Sequence, residues 1–430
     1  MIYHLNHTNR IRLGIFMLII SLSATVKGKQ ITLNGVTYAL DNTTMTATAI
    51  TCDDDLEVLA LKEYVTTEGN EELYTVTTIA EKAFVNKSFT EVAFPATIET
   101  IGGGAIAQCS KLRHLTIPAS TTTIGESNFT NCPSLDEIEV DEENPNYCDV
   151  DGVFFDKAMT NLIAFPASRG GVYTVPDGVT RISAQCFSSS KLTEVVVSKD
   201  VDLIYPCVFQ RMYNLTDITV VSDNPKYHSE DGVLFHNKEL SALLTYPGGK
   251  KDNNASYVIP AQTKILGYWS FAYTMLKRVD IHANIMSINK ESFIDCTELK
   301  SLVVKQKTPL ILTPNMFKNL PKDATLYVPT GCVEAYKAAA EWSTFRTIIE
   351  GEPDPTAIET TEAPSTPYIY DDSKGLVLRN APSNHLVEVY NIRGSMLYQA
   401  MTDDNGSASL PVEQGAYIVR VGDVSMQALR

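Results

Sequence analysis

Residues 112–135 read LRHLTIPASTTTIGESNFTNCPSL, and this stretch decides the fold. Leu112, Leu115 and Ile117 set apolar residues at the alternation of a short strand with one face turned inward. Pro118 cannot donate to a ladder, so it ends the strand and begins a bend. Ile124 and Phe129 then return apolar side chains to the core, Cys132 fills a small slot, and Leu135 opens the next unit 23 residues after Leu112.

Working outward, Leu192 and Leu215, and Leu276 and Leu299, repeat this spacing of 23, with Phe89 in the same place one unit earlier. A fixed period of this size marks a solenoid, in which each repeat stacks only on its neighbours. The reading is a solenoid of α/β type, mostly β, over residues 76–323. Its second apolar stretch (Ile98, Ile101 and Ile106, or Val179, Ile182 and Phe187) is expected to form a loose helical or 3₁₀ turn. One unit cannot bury its apolar face alone, so only stacked neighbours hold it.

The spacing widens twice, to 57 between Leu135 and Leu192 and to 61 between Leu215 and Leu276. The two insertions match each other: Asn144-Pro145, Tyr147, Asp151-Gly152-Val153 and Phe155 in one, Asn224-Pro225, Tyr227, Asp231-Gly232-Val233 and Phe235 in the other. Each Asp-Gly suits a turn of positive φ, which predicts β-hairpin arms. Alternation at Ile31, Leu33, Val36, Tyr38 and Leu40 predicts a β cap over 29–75, and 324–350, with Trp342 and Phe345, a closing cap. Prolines 353, 355, 364 and 367 mark 351–367 as a linker. Residues 368–430 alternate again and are expected to form a small β-sandwich.

Arg10 and Arg12 precede an apolar run from Leu13 to Leu22, and Val26-Lys27-Gly28 suits a peptidase cut, so 1–28 reads as a signal peptide. The run is too short for a membrane span, which needs about 20 residues. The expected localisation is secreted or cell surface. The chain carries a net charge of −16, which repels phosphate backbones and gives nucleic-acid binding no support. Cys109, Cys132 and Cys296 occupy one repeat slot and Cys186 a neighbouring small one, so they read as buried repeat residues. Neither zinc spacing, a calcium loop nor a phosphate loop is present, and no cofactor is expected.

The unit, both Asn-Pro-x-Tyr inserts and the Leu326-Tyr327-Val328-Pro329 closing segment resemble the BspA-like leucine-rich repeats of bacterial surface and secreted proteins. That resemblance implies a right-handed leucine-rich-repeat solenoid, and adhesion to host matrix or to other cells. The tail (Val389-Tyr390-Asn391, Gly394, Leu410, Gly415, Tyr417-Ile418-Val419 and Val421) resembles C-terminal sorting domains of type IX secretion.

Outward residues lie two and four places after each opening position, and stacking turns them into rows. The acidic part holds Asp136, Glu137, Glu139, Asp141, Glu142 and Glu143, Glu194 and Asp217 follow in the rows, and Lys277 and Arg278, near Asp280, provide a basic part farther along. Glu194 and Asp217 would stand about 5 Å apart, the separation of a retaining glycosidase, but an open sheet offers no cleft to raise a pKa. The rows therefore read as a binding face for an extracellular protein rather than an active site. Tyr268, Trp269 and Tyr273 crowd around the core residue Phe271, and offer either packing under the second arm or a stacking platform for a glycan. A spacer with no specific ligand is the third reading.

Overall fold

A computed structural model describes residues 29–353, except 68, 70, 71 and 251–254, and residues 368–429, except 372–375, 380, 382, 392–394, 404–406, 413–414 and 423. The expected leader, 1–28, and most of the expected linker, 354–367, lie outside the described residues. The chain divides into two compact units, Met1–Glu352 and Pro353–Arg430.

In the first unit every repeat contributes one strand to a parallel sheet. The first sheet stacks Val58–Ala60, Glu91–Ala93, His114–Ile117 and Glu137–Val140. The second stacks Gly170–Thr174, Lys191–Val197 and Asp217–Val220. The third stacks Ser256–Val258, Arg278–Ile281, Ser301–Val304, Thr325–Val328 and Thr347–Glu350. The opening residues Leu112, Leu135, Leu192, Leu215, Leu276 and Leu299 are at most 1% exposed, as alternation requires.

Two-residue strands at Thr100–Ile101, Thr123–Ile124, Arg181–Ile182, Leu203–Ile204, Ile265–Leu266 and Ser287–Ile288 build a second set of sheets. The antiparallel strands Gln30–Leu33, Val36–Asp41 and Thr46–Cys52 join that set at its start, since Thr46–Cys52 pairs in parallel with Leu73–Ile79.

The return segment is not helical. Lys82 and Asn86, Gly104 and Gln108, Trp269 and Tyr273, and Glu291 and Asp295 have left-handed φ, two per turn, and the turn of Ser127 and Asn131 adds a third at Phe129. This geometry aims alternate amides at the next repeat. Lys82, Phe84 and Asn86 donate to Gly103, Ala105 and Ala107 at 3.0, 2.9 and 2.9 Å, and Phe271 and Tyr273 donate to Ser292 and Ile294 at 2.9 and 3.1 Å. A helix would close these bonds within itself; the stacked turn spends them on its neighbour. Among the described residues of this unit, helix is confined to Ala255, Val333–Ala338 and a 3₁₀ turn at Trp342–Thr344, so the solenoid is mostly β.

Phenylalanines at the anchor position stack along the core. Ring centroids are 5.1 Å apart for Phe271 and Phe293, 5.9 Å for Phe293 and Phe317, and 5.3 Å for Phe317 and Trp342. Trp342 ends the run, buried, with its indole N–H donating to Leu310 O at 2.8 Å. All eight cysteines are free thiols, six of them buried.

The two inserts are built alike. Tyr147–Val150 and Val153–Asp156 form a hairpin, as do His228–Glu230 and Val233–Phe235, and each continues into a third antiparallel strand, Asn161–Ala164 or Ala242–Thr245. The motif asparagine is the buried hub of each junction. Asn144 Nδ2 donates to Pro118 O and Thr121 O at 2.7 and 2.9 Å, while its Oδ1 accepts from the amides of Asn146 and Tyr147. Asn224 repeats the pattern with Ser198 O, Val201 O, Lys226 N and Tyr227 N. Tyr147 and Tyr227 then accept, at their hydroxyls, the amides of Ile124 and Ile204 at 3.1 and 2.9 Å.

In the second unit, Tyr368–Asp371, Leu376–Arg379 and Ala408–Leu410 form one antiparallel sheet, and Leu386–Asn391, Met396–Met401, Ala416–Val421 and Val424–Leu429 another. Leu376, Leu378 and Leu410 from one and Val387, Val389 and Val419 from the other share one apolar cluster.

Candidate functional site

The outward rows do not run unbroken along the solenoid, as strand stacking alone would have them. Each insert turns back over the last strand before it and takes that strand's edge. Ile138 N donates to Gly152 O, and Ile218 N to Gly232 O, both at 2.9 Å. Both glycines have φ near +70°. A Cβ on Gly152 would meet Glu137 Cβ at 2.6 Å, and one on Gly232 would meet Asp217 Oδ1 at 2.5 Å. Glu137 and Asp217 therefore sit beneath the insert turns, at sheet edges. The face becomes three panels.

In the first panel Glu91, His114 and Glu137 share a row, and Thr116 pairs with Glu139. His114 Nδ1 lies 3.6 Å from Glu137 Oε1, and Thr116 Oγ1 donates to Glu139 Oε2 at 3.0 Å. His114, Glu137 and Glu139 bring their ligand atoms within 4.8 Å of one another, near what a divalent cation needs. All three are exposed or half-exposed, where carboxylates commonly gather without an ion. The sequence reading missed the trio because its histidine and carboxylates come from neighbouring repeats.

In the second panel Val172, Glu194 and Asp217 are in register. Glu194 Oε1 accepts a hydrogen bond from Thr219 Oγ1 at 2.6 Å, and Asp217 lies under the Gly232 turn; both residues are half-exposed.

The third panel differs from expectation. Arg278 donates to its own strand's Asp280 through Nε and a terminal nitrogen, at 2.6 and 2.7 Å, with both side chains largely buried. That bond holds the guanidinium's pKa above its ordinary value, and Asp280 neutralises its charge. Arg278 is thus not the centre of a free basic patch. The row through Asp280 instead holds Val258, Val303, Tyr327 and Ile349. Tyr327 and Ile349 were missed because 324–350 reads as a cap, whereas Thr325–Val328 and Thr347–Glu350 continue the sheet.

The aromatic cluster splits in two. Tyr273 packs edge-on to Tyr213 with ring centroids 6.4 Å apart, under the guanidinium of Arg211 at 5.5 Å. Tyr268 and Trp269 lie 6.0 Å apart and line a cavity of about 270 Å³, together with Tyr205, Cys207, Phe209 and Tyr246. Burial pushes the Cys207 thiol up to about 12. Tyr205 and Tyr268 remain 41% and 51% exposed at its rim.

A scan against family models matches the BspA type leucine rich repeat region, in six copies, over residues 73–169, 171–243 and 250–342. The chain belongs to the BspA-type leucine-rich-repeat family. Among solved structures it is similar to a leucine rich cell surface protein of Faecalibacterium prausnitzii, at 19% identity over 76% of this chain and 95% of that one, with a TM-score of 0.39. It is also similar to the pneumococcal vaccine antigen PcpA (18%, 76% and 99%, TM-score 0.39) and to a leucine-rich repeat protein of Eubacterium ventriosum (19%, 71% and 80%, TM-score 0.37). No curated protein matches. Membership rests on the family model, which spans most of the first unit. Among the described residues of this BspA-type chain, no helix is long and apolar enough to cross a membrane.

Proposed function

We propose that this BspA-type chain is an exported, non-enzymatic surface protein that binds an extracellular protein, of a host matrix or another cell, through the outward face of its parallel sheets. The observation that carries the reading is the third panel. On a five-stranded sheet, Val258 is 66% exposed on one edge strand and Ile349 44% on the other, with half-buried Tyr327 beside Ile349 and buried Val303 between. Exposed apolar residues at both edges of one sheet face, with a tyrosine beside one of them, are surface that a protein partner covers.

The first panel supplies the complement. Glu91, Glu137 and Glu139 lie outward on a chain of net charge −16, which steers a partner with a basic surface. The surface location follows the resemblance of the repeats to those of BspA-like bacterial surface and secreted proteins. On this reading 1–28 is a leader, 29–75 and 324–350 cap the repeats, and 368–430 is a β-sandwich that addresses the chain to type IX secretion.

The test is binding of the purified protein to immobilised matrix proteins, wild type against Glu137→Lys with Glu139→Lys. A folded double variant that binds several-fold more weakly supports the acidic panel. Unchanged binding removes it.

A further inference from the structure

The two inserts open the same kind of cleft and line it with opposite chemistry. One wall of the first cleft is Gly125–Phe129, which follows the strand Thr123–Ile124; the other is formed by Asn161–Ala164 and Arg181–Ile182. One wall of the second is Tyr205–Phe209, after Leu203–Ile204; the other is formed by Ala242–Thr245 and Ile265–Leu266. The first cavity, about 510 Å³, is lined by Glu126, Asn128, Asp156, Asn161 and Arg181. In the second, Pro206 stands at the place of Glu126, Val208 at that of Asn128, Ile265 at that of Arg181 and Tyr268 at that of Ala184.

Trp269 is the decisive residue. It occupies a left-handed position that other copies fill with Lys82, Gly104, Ser127, Gln185, Cys207, Glu291 or Asn315. Left-handed backbone costs a bulky residue on the order of 1 kcal/mol. Full burial would offset that, yet Trp269 is only half-buried and Tyr205 and Tyr268 less so. Three aromatic rings thus face a cavity without being consumed by the core. Gln210, Thr245 and Asn289 add polar groups to its lining.

We propose that this cleft binds one ring of a neutral glycan. Aromatic faces pack the apolar C–H face of a pyranose, while the few polar groups at the lining meet its hydroxyls. A volume of 270 Å³ lies just under the roughly 300 Å³ at which pockets for drug-sized ligands begin, so it suits a single ring. The net charge of −16 disfavours acidic sugars and selects a neutral one. Tyr205 lines both cavities. A second unit of the same glycan therefore extends toward Asn161 and Arg181, and an oligosaccharide binds more tightly than its monosaccharide. This proposal is independent of the sheet-face reading, because it uses neither the panels nor a protein partner.

The experiment is fluorescence titration of the full chain with neutral hexose oligosaccharides. The chain has two tryptophans, and Trp342 is 1% exposed, so ligand-dependent emission reports Trp269. A saturable change that Tyr268→Ala weakens about tenfold, with the thermal midpoint kept, supports the site. Tyr205→Ala should weaken the oligosaccharide more than the monosaccharide, which separates a ligand contact from a general loosening of the fold. No change with any neutral oligosaccharide at millimolar concentration overturns the proposal. So does a change produced only by an aromatic peptide, which would make the cleft an anchor pocket for a protein.

Discussion

Replacing Asn144 by alanine tests how the inserts are fastened to the solenoid. The side chain is wholly buried and makes four hydrogen bonds, two to the carbonyls of Pro118 and Thr121 and two from the amides of Asn146 and Tyr147. Alanine leaves all four backbone groups without that partner. At about 1 kcal/mol net for each bond, the loss is roughly 4 kcal/mol, a large part of the 5–15 kcal/mol typical of a whole domain. Urea unfolding followed by far-UV circular dichroism measures it. Hydrogen exchange localises it, with the amides of Asn146 and Tyr147 exchanging faster. The control is Asn146→Ala, whose Nδ2 makes one bond to Thr122 O at 2.8 Å from an exposed position, and should cost under about 1 kcal/mol. If Asn144→Ala costs no more than the control, the asparagine is not the hub of the junction and the reasoning fails.

Two further outcomes follow from the buried thiols and the tail. Burial pushes Cys296 and Cys207 up to about 12 and Cys52 up to about 11, from an ordinary value near 9. Folding therefore favours the protonated thiol: the stabilisation is complete below pH 9 and is lost as pH rises from 9 toward 12. The urea midpoint should fall across that window, and alkylation at pH 8 should be slow until the protein unfolds; fast labelling of all eight thiols in the folded state would contradict this. Deleting 368–430 should leave the first unit folded but held inside the producing cell's outer membrane; undiminished surface display would contradict a sorting role.

Much of the fold is legible in local pattern. Leu112, Leu115 and Ile117 name the inward face of a strand without any knowledge of its neighbours, and the 23-residue spacing supplies the neighbours. The matching Asn-Pro-x-Tyr segments mark the inserts as designed, although only the structure shows that Asn144 is a hub and Tyr147 a bridge. The return turn was misread because left-handed positions held by Lys82, Ser127 or Glu291 carry no glycine to announce them.

The site was legible in part. Column positions followed from spacing, so Glu137 and Glu139 lie outward as read. Their interruption did not, because it depends on Gly152 and Gly232 accepting edge amides from strands encoded earlier in the chain. Arg278 was read as a free charge because pairing with Asp280 two residues on depends on rotamer and burial. The aromatic cluster was visible, but its division between Trp269 and Tyr273 requires the cleft walls at 203–209 and 242–246.

The central claim is that the outward sheet face binds an extracellular protein. The most direct measurement is binding of the purified full chain to a panel of matrix and cell-surface proteins at two salt concentrations, with Glu137→Lys/Glu139→Lys beside the wild type. The account predicts saturable binding to a protein with a basic surface, weaker at high salt and weaker in the folded double variant. Binding that ignores both salt and the substitutions, or none by a folded chain across the panel, would contradict it.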